Sequence, residues 1–398
     1  MTGANSFTVP GYGPGRPVWT RLLARDSVLR RLDWPILLAA LALSFIGSLL
    51  VYSATRNRTA INHSDPYYFL VRHLMNLGIG FALMAGTVWL GHRTLRNAVP
   101  VLYGLSVLGV LLVLTPLGAT INGNRNWIVL GGGFSLQPSE FVKVAIVLGM
   151  ALVLAAQVDA GDREYPDGRT VLQALGLAAV PMAVVMLMPD LGSTMVMTVT
   201  VLGVLLASGA AGRWILGLLG IGVLGAVAVW QLHLLDPYQI NRFAAFADPG
   251  LDPSGVGYNT DQARIAIGSG GLTGEGLFHG AQTTGQFVPE QQTDFVFTVA
   301  GEELGFVGGL LIIALMGVIL WRSCRIARET TELYGTIIAA GIVAWFSFQS
   351  FENIGMSLGI MPVAGIPLPF VSYGGSSMFA VWVAIGLLQS IRVRRTRP

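Results

Sequence analysis

Charged side chains stand where a largely apolar chain tolerates them least, and their types indicate the chemistry on offer. Glu140, Lys143, Asp190, Asp294 and Glu352 each lie within or beside an apolar stretch. An unpaired charge at the bilayer centre costs at least about 2.5 kcal/mol, so each requires a partner or a task. Asp294 opens an apolar segment in the run Phe287-Val288-Pro289-Glu290-Gln291-Gln292-Thr293-Asp294-Phe295. A carboxylate there can cap the helix, which is worth roughly 1 kcal/mol. It can also serve as general base toward a hydroxyl, since a partly dry interface raises its proton affinity. Lys143 is the only lysine in the chain, which points to a need for a compact ammonium rather than a guanidinium fork. Glu140 lies one helical turn before it. The two either neutralise each other for insertion or turn the ammonium toward a carboxylate or phosphate.

The remaining candidates are weaker taken singly. Asp190 follows Pro189 at a reversal, where Pro-Asp is natural turn chemistry. Glu302 and Glu303, about two turns beyond Asp294, are expected deeper in a helix bundle as hydrogen-bonding support. Arg125, Arg242 and Arg264 are planar forks suited to phosphate oxygens, or plain headgroup anchors. Gly-Ser-Gly-Gly at 268–271 and Ser372-Tyr373-Gly374-Gly375-Ser376-Ser377 match neither a Walker loop nor a dinucleotide fingerprint. They supply backbone N–H groups to an anion or simply permit tight turns. No Cys/His cluster has zinc spacing. The expected cofactor is none, or a divalent cation (Mg or Mn) that carboxylates at the outer face hold together with a diphosphate. Cys324 is alone, so no intramolecular disulfide can form.

The elements that must position these groups are membrane helices. The chain is 53% hydrophobic and 11% charged, against roughly a quarter charged in soluble domains, so lipid is its main solvent. Apolar stretches long enough to span run near 35–54, 69–90, 98–117, 138–157, 171–189, 191–209, 214–233, 295–320, 334–354 and 371–391. The expected fold is therefore all-α and polytopic, with about ten transmembrane helices and both termini cytoplasmic. With that placement every basic residue except Arg56, Arg58, Arg72, Arg125, Lys143, Arg242 and Arg264 lies inside, 17 of the 24, as the positive-inside rule requires. Basic residues divided among short loops make no stripe for nucleic acid. Residues 1–33 read as a disordered cytoplasmic tail, 34–392 as the membrane domain, and 393–398 as a basic cytoplasmic tail.

The longest connector, 234–293, lies outside between the seventh and eighth helices and is too long and polar for a passive link. Within it 261–269 (DQARIAIGS) spells a short amphipathic helix on the membrane, with Ile265 and Ile267 toward lipid. Gln262 and Arg264 are its candidate substrate contacts. In this topology the charges at 140, 143, 190, 294 and 352, remote in sequence, all fall near outer helix ends and define one polar site there.

Several runs then resemble a known family. Asn126-Trp127-Ile128, residues 137–143 (QPSEFVK), Pro189-Asp190-Leu191-Gly192, residues 287–305 (FVPEQQTDFVFTVAGEELG) and residues 353–377 (NIGMSLGIMPVAGIPLPFVSYGGSS) are similar to the SEDS family of shape, elongation, division and sporulation proteins. The resemblance covers nearly the whole membrane portion, in order. It implies a ten-helix peptidoglycan glycosyltransferase of the bacterial cytoplasmic membrane that polymerises lipid II at the outer face. The partner it implies is a class B penicillin-binding protein acting as transpeptidase. It places the essential loop aspartate on Asp294, the membrane Glu and Lys on Glu140 and Lys143, and the turn aspartate on Asp190. Gly365-Ile366-Pro367-Leu368-Pro369 is similar to the elongation branch, RodA, where the division branch, FtsW, tends to carry threonine in place of Pro367. A lipid II flippase or a non-enzymatic scaffold are the rival readings. Supporting roles are expected for Arg242, Gln262, Arg264, Glu302, Ser372 and Ser376.

Overall fold

The computed structural model describes residues 28–58, 65–121, 124–131, 134–188, 190–231 and 255–394. Its helices are α1 (Val28–Arg31), α2 (Trp34–Thr55), α3 (Tyr68–Leu90), α4 (His92–Leu114), α5 (Pro138–Asp159), α6 (Gly168–Met186), α7 (Leu191–Ala207), α8 (Gly212–Gln231), α9 (Val256–Ser269), α10 (Ala281–Gly285), α11 (Val296–Glu303), α12 (Gly305–Glu329), α13 (Leu333–Leu358) and α14 (Gly375–Val393). Among the described residues eight helices, α2 to α6 and α12 to α14, are long and apolar enough to cross a membrane; the apolar helices Leu191–Ala207 and Gly212–Gly225 are shorter. Each apolar segment of the sequence thus holds a helix.

Local chemistry explains where the helices begin. Asp33 caps α2 and is followed by Trp34 and Pro35, Asp167 caps α6 by accepting from Thr170 N at 2.9 Å, and Asp190 caps α7 by accepting from Ser193 N at 2.9 Å. Each such cap is worth about 1 kcal/mol. Pro138 starts α5, where a missing N–H costs nothing.

The bundle is organised around α13, which packs on α5, α7 and α12 and buries Trp345 and Phe346 completely. Close approach depends on small residues, as expected in lipid. A Cβ on Gly203 of α7 would lie 2.3 Å from the Ala344 methyl of α13. α14 packs along α3.

Two departures from the apolar pattern shape the outer face. The segment after α4 is a three-stranded antiparallel sheet, β1 (Gly118–Ile121), β2 (Asn124–Gly131) and β3 (Phe134–Leu136), in the order β1-β2-β3. It pairs Gly118 with Ile128 and Ile128 with Leu136, and it adds a small β element to the otherwise all-α expectation. The apolar stretch 295–320 is also not one helix, because α11 ends at Glu303 and α12 starts at Gly305. Gly305 has φ +66°, and a Cβ there would stand 2.3 Å from Gly274 N. The break lets the outer loop lie across it, with Glu275 N donating to Glu302 O, Gly276 N to Glu303 O and Phe306 N to Gly271 O.

The opposite end is closed by ion pairs. Arg322 grips buried Asp33 with Nε at 3.0 Å from Oδ1 and Nη2 at 2.5 Å from Oδ2. Arg96 pairs with Asp159 at 3.3 Å, Arg392 with Glu329 at 3.0 Å, and Arg93 with Glu332. These are the arginines assigned to the cytoplasm, and they gather at one end of the bundle.

Candidate active site

A cavity of about 520 Å³ opens at the end of the bundle away from those arginines. Pockets of roughly 300–1,000 Å³ are the usual size for small-molecule groups. It is built where several helices begin: Arg72 and Asn76 near the start of α3, Gln137 before α5, Asp190 before α7, and Gly374 to Ser377 at the start of α14 all line it. β2 and β3 form one wall with Trp127, Leu130 and Phe134, α9 contributes Asn259, and the turn before α11 contributes Glu290, Gln292, Thr293 and Asp294.

The Asp294 turn is tightly determined. Glu290 has φ +48°, a left-handed conformation uncommon for a residue with a side chain. Its carbonyl thereby collects the N–H groups of Thr293 at 3.1 Å, Asp294 at 3.0 Å and Phe295 at 3.3 Å. Three side chains clamp the turn from outside. Gln291 Nε2 donates to Ala54 O at 3.1 Å and Thr283 O at 3.0 Å. Arg58 Nη1 donates to Gln292 Oε1 at 2.7 Å, while the Gln292 carbonyl accepts from Tyr373 N at 2.8 Å. Asn353 Nδ2 donates to the Asp294 carbonyl at 2.7 Å and to Ile366 O at 2.8 Å. Gly365, with φ +69°, faces the carboxylate, since a Cβ there would lie 3.5 Å from Asp294 Oδ2.

Lys143 and Glu140 sit beneath this site rather than in it. Lys143 is 0% exposed. Its Nζ donates to Glu140 Oε1 at 2.8 Å and Gln349 Oε1 at 3.0 Å, and it stands 5.1 Å from the centre of the Trp345 ring. Gln349 Nε2 in turn donates to the Pro367 carbonyl at 2.8 Å, and Pro367 lines the cavity. Gln349 and Asn353 are one turn apart on α13, so one helix face connects the buried ion pair to the 365–367 loop and to the backbone of Asp294.

Of the candidates read from sequence, Asp294, Asp190 and Ser376 line the cavity together, and Ser376 Oγ also accepts from Gln137 N at 2.7 Å. Glu352 is buried on α13, with no protein partner for either carboxylate oxygen. Glu302 accepts from Gln282 N at 2.6 Å, Thr283 N at 2.9 Å and Thr283 Oγ1 at 2.6 Å, so it holds α10 in place. Ser372 Oγ accepts from Leu368 N at 2.8 Å and fixes the loop before α14.

Arg264 departs from the phosphate-binding expectation. Its Nε and Nη2 donate to the Leu358 and Gly359 carbonyls at 3.3 and 3.2 Å, capping α13. Gln262 belongs to α9 and lies outside the cavity lining. Of the two isoleucines expected toward lipid, Ile265 is exposed while Ile267 packs on Gly301. Arg242 lies outside the described residues.

Sequence reading missed Gln291, Gln292, Asn353, Gln349, Asn76 and Asn259. The first two were legible only as polar residues flanking Asp294, Asn353, Gln349 and Asn76 as amides on apolar helices, and Asn259 as one polar residue among many in the outer loop. Burial pushes the Tyr373 hydroxyl above its ordinary value. Among the described residues no group of three or more His, Cys, Asp or Glu side chains is placed to hold a metal ion by itself.

A bundle with eight helices, among the described residues, long and apolar enough to cross a membrane, and with Asp190, Glu290 and Asp294 lining a cavity at one end, is a polytopic membrane protein. Comparison with known proteins sharpens the class. A family model described as cell cycle protein, covering FtsW, RodA and SpoVE, matches residues 33–397. Stage V sporulation protein E of Bacillus subtilis (strain 168) is 37% identical over 360 residues, covering 90% of this chain and 96% of that protein. Peptidoglycan glycosyltransferase MrdB of Escherichia coli (strain K12) is 34% identical over 364 residues, covering 92% and 94%. A chain in the solved structure reported as "Structural coordination of polymerization and crosslinking by a peptidoglycan synthase complex" superposes with a TM-score of 0.73 at 30% identity, covering 91% of this chain and 97% of that one. The chain belongs to the FtsW/RodA/SpoVE family, the SEDS proteins, and is a multi-pass protein of the bacterial cytoplasmic membrane.

Proposed function

We propose that this peptidoglycan glycosyltransferase polymerises lipid II at the outer face of the cytoplasmic membrane, with Asp294 as its general base. The observation that carries the reading is the placement of Asp294: in the cavity wall, at the end opposite the arginine-rich face, with its backbone held by Asn353 and the Glu290 turn. Asp294 takes the proton from the 4-hydroxyl of the acceptor GlcNAc as that oxygen attacks the anomeric carbon of the donor MurNAc. The new C–O bond forms with inversion, the bond to the diphosphate breaks with its electron pair staying on oxygen, and undecaprenyl diphosphate leaves. General-base catalysis of this kind contributes about 10²- to 10⁴-fold. Lys143, buried below the floor, acts through Gln349 and the Pro367 loop rather than on substrate.

The elongation role rests on the 365–369 run and the likeness to MrdB; a family model that groups FtsW with RodA and SpoVE keeps the division branch as the second reading. The partner we propose is a class B penicillin-binding protein, supported by the likeness to the chain from the peptidoglycan synthase complex. Purified protein, labelled lipid II and a product gel, with and without that partner, test the reading. Glycan strands support it. Transbilayer movement of lipid II without polymer would make the protein a flippase, and neither activity would leave a scaffold.

A further inference from the structure

A line of aromatic rings leaves the cavity wall and crosses the outer ends of α2 and α3 toward the outer loop. Tyr373 and Arg72 line the cavity, and Tyr373 meets Phe69 edge to face at 5.2 Å between ring centres. Phe69 meets Tyr68 in the same way at 5.2 Å, and the Arg72 guanidinium lies 4.2 Å from the Tyr68 ring centre. The preceding residue, Tyr67, is 56% exposed and stacks on Tyr52 at 5.4 Å with 12° between the planes. Tyr52, in the last turn of α2, meets Phe278 of the outer loop at 5.5 Å. Arg56 closes the far end, standing 5.3 Å from the Phe278 ring centre and donating to the Phe278 carbonyl. Rings fixed against one another make a continuous surface.

Two observations set this line apart from a headgroup belt. Tyrosines that anchor in headgroups are spread around a bundle and need no contact with one another, whereas these lead in one direction, out of the cavity. Phe278 has φ +71°, a left-handed conformation that is an outlier for a bulky side chain, and strain kept in place points to function. That backbone carries the Phe278 ring to Tyr52. The chemistry of the surface is also particular. Tyrosine offers an apolar face with a polar tip, which matches a sugar, apolar on its C–H face and polar around its hydroxyl edge. Guanidiniums laid on rings suit carboxylates, and amino sugars that bear a peptide carry them. Asp65, the acid beside Tyr67, turns to the main chain, accepting from Tyr67 N at 2.9 Å.

We infer that this aromatic line is a binding track for the growing glycan strand as it leaves the cavity, taking β-1,4-linked amino sugars face on, with Arg56 and Arg72 toward their carboxylates. The inference rests on the polymerase reading above and extends it from the bond being made to the product. A strand held beyond the cavity stays close to Asp294 between additions, so many units are joined before release. The rings act as further points of attachment on one ligand, which raises retention without new chemistry.

The test uses the full chain in lipid nanodiscs, titrated with soluble uncrosslinked glycan strands and with the single disaccharide-peptide. Tyr67→Ala removes an exposed ring, Tyr67→Phe keeps it, and Phe278→Asn exchanges a ring for a residue that tolerates the left-handed backbone, so the fold is retained. Wild type is expected to bind strands at least about tenfold more tightly than the disaccharide-peptide. Tyr67→Ala and Phe278→Asn should each weaken strand binding by about two- to tenfold and leave binding of the disaccharide-peptide unchanged. Both should also shorten the polymer made from lipid II without slowing its consumption, whereas Tyr67→Phe matches wild type throughout. Wild-type strand affinity and polymer length in both ring-less variants overturn the track and leave the rings as headgroup anchors. A wild-type protein that makes glycan yet binds strands no better than the disaccharide-peptide refutes the track with the polymerase reading intact. One that binds strands through these rings but makes no glycan refutes the polymerase reading and leaves the track standing as a glycan site.

Discussion

The two ends of this bundle treat charge in opposite ways. At the arginine-rich end Asp33, Asp159, Glu329 and Glu332 are each matched to an arginine, and Asp33 is gripped at both oxygens by Arg322. At the outer end Asp190, Glu290 and Asp294 face a cavity, and much of the surrounding polarity is spent on backbone: Gln291, Gln349, Asn353 and Arg264 all donate to main-chain carbonyls. Paired charges close a surface, whereas amides bound to backbone hold a loop in shape around a cavity.

Breaking the buried pair at each end sharpens this contrast most. Lys143→Met strands Glu140, and Arg322→Met strands Asp33; removing one partner of a buried pair costs about 3–5 kcal/mol, so both variants should melt well below wild type. Only Lys143→Met should also lose lipid II polymerisation per folded molecule, by about tenfold or more, because its ammonium steadies the Pro367 loop through Gln349. Adding Glu140→Gln to it should restore most of the stability and little of the activity. Equal activity losses at the two ends would erase the distinction.

Asn353→Ala frees the Asp294 carbonyl and the 366 loop together. It should lower kcat by about ten- to a hundredfold with KM within about twofold, since a misplaced base loses rate before binding. A rise in KM alone would place Asn353 in substrate binding instead. A smaller effect is expected from Arg264→Gln, which removes the cap on α13: loss of about 1 kcal/mol of stability, with no change in the salt dependence of polymerisation. A steep new salt dependence would return Arg264 to the phosphate-binding role expected from sequence.

The smallest effect is on the inner face. Thr170, through its hydroxyl and its backbone N–H, holds the Asp167 carboxyl below its ordinary value of 3.8. A depressed carboxylate adds stability that is fully present above its unfolded pKa and is lost as pH falls through the folded one. Wild type should therefore lose slightly more thermal stability than Thr170→Val between about pH 6 and about pH 3. Identical acid sensitivity would show the cap to be without consequence.

What could be read from sequence followed from what lipid enforces. Apolar runs of about 20 residues must be helical, and every such run holds a helix here, with 295–320 divided between two. The charges of Asp294 and Asp190 were conspicuous for the same reason, because an acid beside a span needs an explanation. The break at Gly305 was hidden, since a glycine within an apolar run looks the same whether it packs a helix or ends one; only the loop lying over it at Gly274 reveals the difference. The sheet at 118–136 was hidden by its shortness. The seat of Arg264 on the end of α13 was not legible, because an outer arginine serves a phosphate and a helix carbonyl equally well, and its contacts depend on where α13 ends. The amides were overlooked because a buried Gln or Asn carries no charge to draw attention, although Asn353 and Gln291 hold the turn that carries Asp294.

The most direct test of the central claim is the rate of glycan synthesis from lipid II by purified Asp294→Asn, set beside wild type at matched folding and membrane insertion. The asparagine keeps the size of the side chain and its place in the turn but cannot take the acceptor proton, so polymer should fall at least about a hundredfold. Polymer made by that variant at the wild-type rate would contradict the assignment.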